Sequence, residues 1–173
     1  MIVIAVIGSK KSGKTTTIEV LVRGLTRRGH RVATIKHVSE LDFTIDVKGK
    51  DSWRHAQAGA KTIVIVAAKE LSIIKKGDTA KLSLKEIVKN CQNSTDFVIL
   101  EGFGGLVEQE PTVLKIVAVK TFDEAIEALK RFKLIIAFTG SAALAAKNLG
   151  VPAVDILEEP GKLVEAIEKK IRL

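Results

Sequence analysis

Apolar residues in this chain fall into two alternating patterns. Short continuous runs at 2–7, 31–36, 62–67, 97–100, 113–119, 134–138 and 153–156 have the length and composition of strands buried in a sheet. Between them, at 14–28, 52–58, 83–92, 123–131, 141–148 and 161–171, apolar positions recur with the period of a helix that buries one face. The first helix is the clearest. Ile18, Leu21, Val22 and Leu25 line one side, and Gly29 closes it behind Arg27 and Arg28, whose charges suit a carboxyl end. Strand and helix taking turns predicts an α/β fold, with a mainly parallel sheet flanked by helices in three layers.

Two segments interrupt this alternation. Across 42–48, Phe43, Ile45 and Val47 alternate with Asp42, Thr44 and Asp46, which predicts a half-exposed strand. Residues 71–76, ended by Gly77 and Asp78, are expected to turn back on 62–67 as a hairpin, giving a small β insertion.

A length of 173 residues with 46% hydrophobic content predicts one domain, 1–173. The absence of a long uncharged apolar run, and of a basic leader before Ile2, predicts a cytoplasmic protein with no membrane partner. Cys91 sits in a helical pattern and reads as an inert packed residue. The net charge of +8 raises the question of nucleic acid, but few aromatic residues and no long basic run argue against such a partner. Lys10, Lys11, Lys14, Lys36, Lys48 and Lys50 instead fall in segments able to gather around a small polyanion.

The reason for that clustering is the stretch Gly8-Ser9-Lys10-Lys11-Ser12-Gly13-Lys14-Thr15, which fits G-x-x-x-x-G-K-[ST] and lies between the first strand and the first helix. Gly8 and Gly13 let backbone N–H groups converge on phosphate oxygens, and the helix behind them adds its free N–H groups and positive dipole end. Lys14 is expected on the β and γ oxygens, Thr15 on magnesium and Thr16 on the α-phosphate. The fold expected is therefore that of a P-loop NTPase.

Such a loop needs a carboxylate for magnesium on a neighbouring strand, and Asp96 and Glu101 bracket the run Phe97-Val-Ile-Leu100. Five residues of strand separate them by roughly 17 Å, and ligands of open α/β sheets lie beyond the carboxyl ends of strands. Glu101 is thus the expected magnesium or water-organising group, and Asp96 a turn residue at the opposite end. Gly102, Gly104 and Gly105 predict a mobile loop after Glu101. Residues 46–60 form a second dense polar cluster, in which Asp51 or Ser52 caps a helix and Trp53, Ala56 and Ala60 share a packed face. His37, at the end of the second strand, shares the functional edge of the sheet.

Together, Gly-x4-Gly-Lys-Thr-Thr, Ile35-Lys36-His37, Gly49-Lys-Asp-Ser-x-Arg54 with Ala58-Gly-Ala60, and Val98-Ile-Leu-Glu-Gly-Phe103 resemble the MobB family of molybdopterin-guanine dinucleotide biosynthesis adapter proteins. The resemblance covers about residues 1–120. It implies a GTP-binding protein with weak magnesium-dependent hydrolysis, usually a homodimer, that assists a molybdenum cofactor guanylyltransferase. On it, Gly8, Ser9, Lys10, Lys11, Ser12, Gly13, Lys14, Thr15 and Thr16 hold GTP, Thr15 and Glu101 organise Mg2+, and Lys14 and Glu101 serve hydrolysis. Lys36, Asp46, Lys50, Asp51 and Arg54 lie near the phosphates or the partner. Family members often follow Glu-Gly-Phe with lysine, where this chain has Gly104, and no Asn-Lys-x-Asp guanine motif is present. Alternatives are an ATP-using small-molecule kinase, which would require a lid rich in arginine, and a non-hydrolysing nucleotide-binding subunit.

Overall fold

The computed structural model describes residues 1–91 and 95–171. Along the chain run β1 (Ile2–Ile7), α1 (Lys14–Arg27), β2 (Val32–Lys36), α2 (Asp51–Gln57), β3 (Thr62–Val66), β4 (Leu71–Lys75) and α3 (Leu84–Lys89). They are followed by β5 (Phe97–Glu101), α4 (Gly104–Glu108), β6 (Leu114–Ala118), α5 (Phe122–Arg131), β7 (Ile135–Thr139), a 3-10 turn at Ala143–Ala146 and α6 (Pro160–Ile171). The chain divides into two compact units, one of residues 1–37 and 83–173 and one of residues 38–82.

In the larger unit five strands form one parallel sheet in the order β2-β5-β1-β6-β7. The alternation of strand and helix accounts for the parallel pairing, because parallel neighbours need a crossover and the crossovers cover both faces. On one face Ile18, Leu21 and Leu25 of α1 and Leu163, Val164 and Ile167 of α6 pack on Ile4, Val6, Ile99 and Ile116. On the other, Leu84 and Val88, Val107, Ala125 and Ala128 pack on Ala5, Val98, Leu100 and Val117. Half-buried Cys91 joins this second face, and burial raises its thiol pKa, in keeping with a packed, unreactive residue. The three layers and the mainly parallel sheet are those the sequence predicts.

Helix α3 starts where Ser83 and Glu86 form a reciprocal capping box, and α5 where Thr121 accepts from the Glu124 N–H. The helix expected over 83–92 is shorter, and residue 92 lies outside the described residues. The helix expected over 141–148 is only the 3-10 turn Ala143–Ala146. No strand forms over 153–156. There Ala153 makes a single parallel bridge to Phe138, after which the Asp155 carboxylate accepts from the N–H of Leu157 and turns the chain away. In place of the loop expected after Glu101, Gly102 turns and α4 begins two residues later.

In the smaller unit β3 and β4 pair antiparallel, as the hairpin reading requires, with Ile63 opposite Ile74 and Val66 opposite Leu71. The strand expected over 42–48 is absent. Its polar residues bond locally instead: Thr44 Oγ1 accepts from the Asp46 N–H, and Asp46 Oδ1 accepts from the Val47 N–H and from Ser52 Oγ. Alternation makes a strand only where a partner edge competes with such side-chain turns.

Candidate functional site

Because the five strands of the larger unit are parallel, their carboxyl ends meet at one edge. Five connections start there, and the residues with candidate chemistry sit on them. Gly8–Gly13 leaves β1 and closes on α1, whose N-cap is Gly13 at φ 94°. Lys11 also takes positive φ, 61°, which tightens the curl of the loop. A side chain at Gly8 would lie 2.5 Å from Ser12 Oγ and overlap the Ala118 carbonyl, so this position has room for hydrogen only. Together Lys10–Thr16 and Glu101 line a cleft of about 410 Å3.

The strand register brings the acidic partner to this cleft. β5 pairs directly with β1, Val6 opposite Glu101, and with β2, Lys36 opposite Glu101. Glu101 Oε1 accepts from Thr15 Oγ1 at 3.3 Å and from Lys36 Nζ at 3.2 Å. Two hard oxygen donors therefore face each other beside the phosphate loop, a donor set suited to Mg2+, with a cation behind them. Lys14 Nζ donates to the carbonyls of Gly8 at 3.1 Å and Ser9 at 2.7 Å, which holds its ammonium over the loop. Ser12 Oγ is buried in the loop with no partner among the described residues.

Asp96 sits at the opposite edge of the sheet, as strand length requires. It receives the Arg31 guanidinium through both carboxylate oxygens, at 2.8 and 3.2 Å, and also the Arg31 N–H at 2.8 Å. Those hydrogen bonds and the adjacent charge hold its carboxyl far below the usual range. His37 donates its N–H to the Glu101 carbonyl and stacks edge-on against Phe103, so it supports the turn. Asp46, Lys50, Asp51 and Arg54 belong to the smaller unit. There Asp46 holds Ser52, Lys50 is the N-cap of α2, and Asp51 and Arg54 lie in its first and last turns.

Three groups at the sheet edge make contacts that the sequence does not reveal. Glu124, at the start of α5, accepts from Ser9 Oγ at 2.9 Å and from the Lys120 N–H at 2.6 Å. Lys120 Nζ donates to the Lys10 carbonyl at 3.2 Å. Thr139 Oγ1, fully buried at the end of β7, lies 3.0 Å from Thr17 Oγ1 of α1. Thr121-x-x-Glu124 is a readable helix start, but a contact spanning 115 residues leaves no local signal.

The model of the family described as Molybdopterin guanine dinucleotide synthesis protein B matches residues 3–139. A putative molybdopterin-guanine dinucleotide biosynthesis adapter protein of Methanocaldococcus jannaschii is 38% identical over 104 residues, 60% of this chain and 41% of that one. The adapter protein of that name from Haemophilus influenzae is 36% identical over 110 residues, 62% of this chain and 58% of that one. The match thus spans about half the length of these relatives. Among solved structures, a molybdopterin-guanine biosynthesis protein B superposes with TM-score 0.74 at 25% identity, covering 99% of this chain and all of that one. Bacillus subtilis MobB gives 0.73 at 24% identity, covering 96% and 98%, a likeness of fold.

Proposed function

The chain belongs to the molybdopterin guanine dinucleotide synthesis protein B family, and on that premise we propose that it is a GTP-binding adapter in molybdopterin guanine dinucleotide biosynthesis, with weak magnesium-dependent hydrolysis. The observation that carries the reading is the phosphate loop facing Glu101 and Lys36 at the edge of a parallel sheet.

In this reading the N–H groups of residues 8–16 and the start of α1 bind the phosphates. Lys14 exchanges the carbonyls of Gly8 and Ser9 for the β and γ oxygens. Thr15 and Glu101 would hold magnesium, which when bound neutralises charge on those oxygens. Glu101 orients water, and Lys36 keeps the carboxylate aimed at Thr15. Guanine preference rests on family membership rather than on a base-reading motif.

On the strength of the sequence resemblance, Asp46, Lys50, Asp51 and Arg54 are assigned to the phosphates or to the guanylyltransferase partner. A homodimer is supported by the hairpin. Val64, Val66, Leu71 and Ile73 expose one apolar face of a sheet of only two strands, an element that is marginal alone. A cytoplasmic setting accompanies this reading, and among the described residues no helix is long and apolar enough to cross a membrane.

Calorimetric titration with GTP, ATP and their nonhydrolysable analogues, with and without magnesium, tests the assignment. Magnesium-dependent preference for GTP is expected. Preference for ATP would instead point to a kinase and send the search to a phosphate acceptor.

A further inference from the structure

A cavity of about 450 Å3 lies at the amino end of β7, between the last turns of α5 and α6. Its volume is that of a small-molecule site. From Ile136, which lines it, to Gly140, which adjoins the phosphate loop, the chain runs about 13 Å, so this cavity is separate from the nucleotide cleft. The walls are hydrocarbon. Leu129, Leu134, Ile135 and Val151 help to build them, and Lys169 and Lys170 supply the only polar side chains; among the described residues no carboxylate lines the cavity. Both lysines are exposed, and neither has a hydrogen bond or an ion pair among the described residues. The carboxylates of α6 do not engage them: Glu168 is taken by Arg28 at 3.2 Å, and Glu165, one turn before Lys169, makes no bridge to it. The wall is fixed from behind, where the Leu134 carbonyl accepts from the Lys115 N–H at 3.0 Å and the Pro152 carbonyl from the Phe138 N–H at 2.8 Å. Leu134 itself takes φ 54°, a left-handed conformation unfavourable for leucine, and the strain is kept at a residue whose exposed side chain lines the cavity.

We propose that this cavity binds a free aliphatic carboxylate, a hydrocarbon chain of about eight to ten carbons with its anion on Lys169 and Lys170. The lining selects both halves. Walls without a polar side chain other than the two ammonium groups leave hydrogen-bonding groups on the body of a ligand unpaired, which disfavours a nucleotide, a sugar or a heterocycle, whereas a hydrocarbon has no such groups to lose. The head must be an anion, because two unpaired ammonium groups with no carboxylate beside them donate to an acceptor and repel a cation. A second copy of this chain is a poor occupant, since a net charge of +8 brings more of the same sign. The cavity shares no residue with the nucleotide cleft, so this assignment does not depend on the nucleotide reading.

The test is calorimetric titration of the full chain with sodium decanoate below its micelle threshold, with and without magnesium–GTP. Saturable one-to-one binding is expected, the same in both conditions. It should weaken at least about tenfold when Lys169→Glu and Lys170→Glu are combined, and by a similar factor when the ligand is shortened to hexanoate. Lys169→Arg with Lys170→Arg should retain it. Decyltrimethylammonium, the same chain with a cationic head, should not bind. Leu134→Gly removes part of the apolar wall and relieves the positive φ, so decanoate affinity should fall while Tm stays near that of the wild-type protein. No saturable binding, equal binding of hexanoate or of the cationic amphiphile, or indifference to the paired glutamate substitutions overturns the proposal. Competition by magnesium–GTP also overturns it, by moving decanoate to the nucleotide cleft. Decanoate binding in a protein that fails to bind GTP leaves the cavity assigned and removes the nucleotide reading.

Discussion

The Ser9 hydroxyl donates to Glu124 Oε1 at 2.9 Å, tying the second residue of the phosphate loop to the first turn of α5. The other carboxylate oxygen accepts from the Lys120 N–H, and Lys120 Nζ reaches the Lys10 carbonyl. Residues 9 and 10 are therefore braced from α5 and from the connection that precedes it, as well as from within the loop. Glu124→Gln keeps an acceptor but loses the charge, and should weaken magnesium–GTP binding by about three- to tenfold in a folded protein. Calorimetry on the variant checks this.

The same brace has a pH signature. The Lys120 N–H first, with the Ser9 hydroxyl also contributing, holds the Glu124 carboxyl below its ordinary value, against the opposing effect of burial. A carboxyl more acidic in the folded than in the unfolded chain gives its full stabilisation above the ordinary value and loses it as pH falls through the lowered one. The gap in Tm between the wild-type protein and Glu124→Gln should be widest near neutrality and close below pH of about 4. A gap that widened in acid would refute the brace.

Lys14 and Glu101 should separate binding from hydrolysis. Lys14→Ala removes the only ammonium bonded to the carbonyls of Gly8 and Ser9 among the described residues, and is expected to abolish nucleotide binding without unfolding the chain. Glu101→Gln can still accept from Thr15 and should spare much of the binding, while slowing hydrolysis at least about tenfold. Single-turnover hydrolysis beside equilibrium titration distinguishes the two, and unchanged hydrolysis in Glu101→Gln would end its assigned role.

The legible parts of this molecule are those whose partners lie close in sequence or whose geometry follows from strand length. Gly8–Thr16 is read directly, and the choice of Glu101 over Asp96 needs only the rise of a strand. By contrast, Phe43, Ile45 and Val47 alternate as strand residues do, but Thr44 and Asp46 satisfy the backbone locally and no edge pairs with them. The Glu124 brace and the Thr17–Thr139 hydroxyl pair depend on which strands become neighbours, and each joins residues more than a hundred positions apart. Sheet order decides those contacts, and periodicity does not contain it.

Gly140 illustrates the same dependence at a single position. It follows β7 at φ 91°, and a Cβ there would stand 2.5 Å from the Val119 carbonyl oxygen and 2.7 Å from that of Ser12. Both are backbone atoms, one of them in the phosphate loop, so neither can move without deforming the site. Gly140→Ala is expected to cost at least about 2 kcal/mol and to weaken nucleotide binding as well. A denaturant titration and a GTP titration on the same variant measure the two effects; a neutral result would mean that the loop tolerates displacement at Ser12.

Asp96 tests the assignment of edges from the other side. Its bidentate pairing with Arg31 joins the start of β5 to the residue before β2, at the end of the sheet away from the phosphate loop. Asp96→Asn should lower Tm at neutral pH and leave magnesium–GTP affinity unchanged. The side-chain hydrogen bonds from Arg31 come first among the causes that depress the carboxyl, which remains ionised when folded at pH values where the unfolded chain is protonated. The stabilisation is thus complete above the ordinary aspartate value, declines below pH of about 4 and is exhausted only once the folded carboxyl itself protonates. Thermal melts of the two proteins from neutral pH into acid should therefore converge. If affinity for GTP fell with Asp96→Asn while Tm held, the nucleotide edge would have been assigned to the wrong end of the sheet.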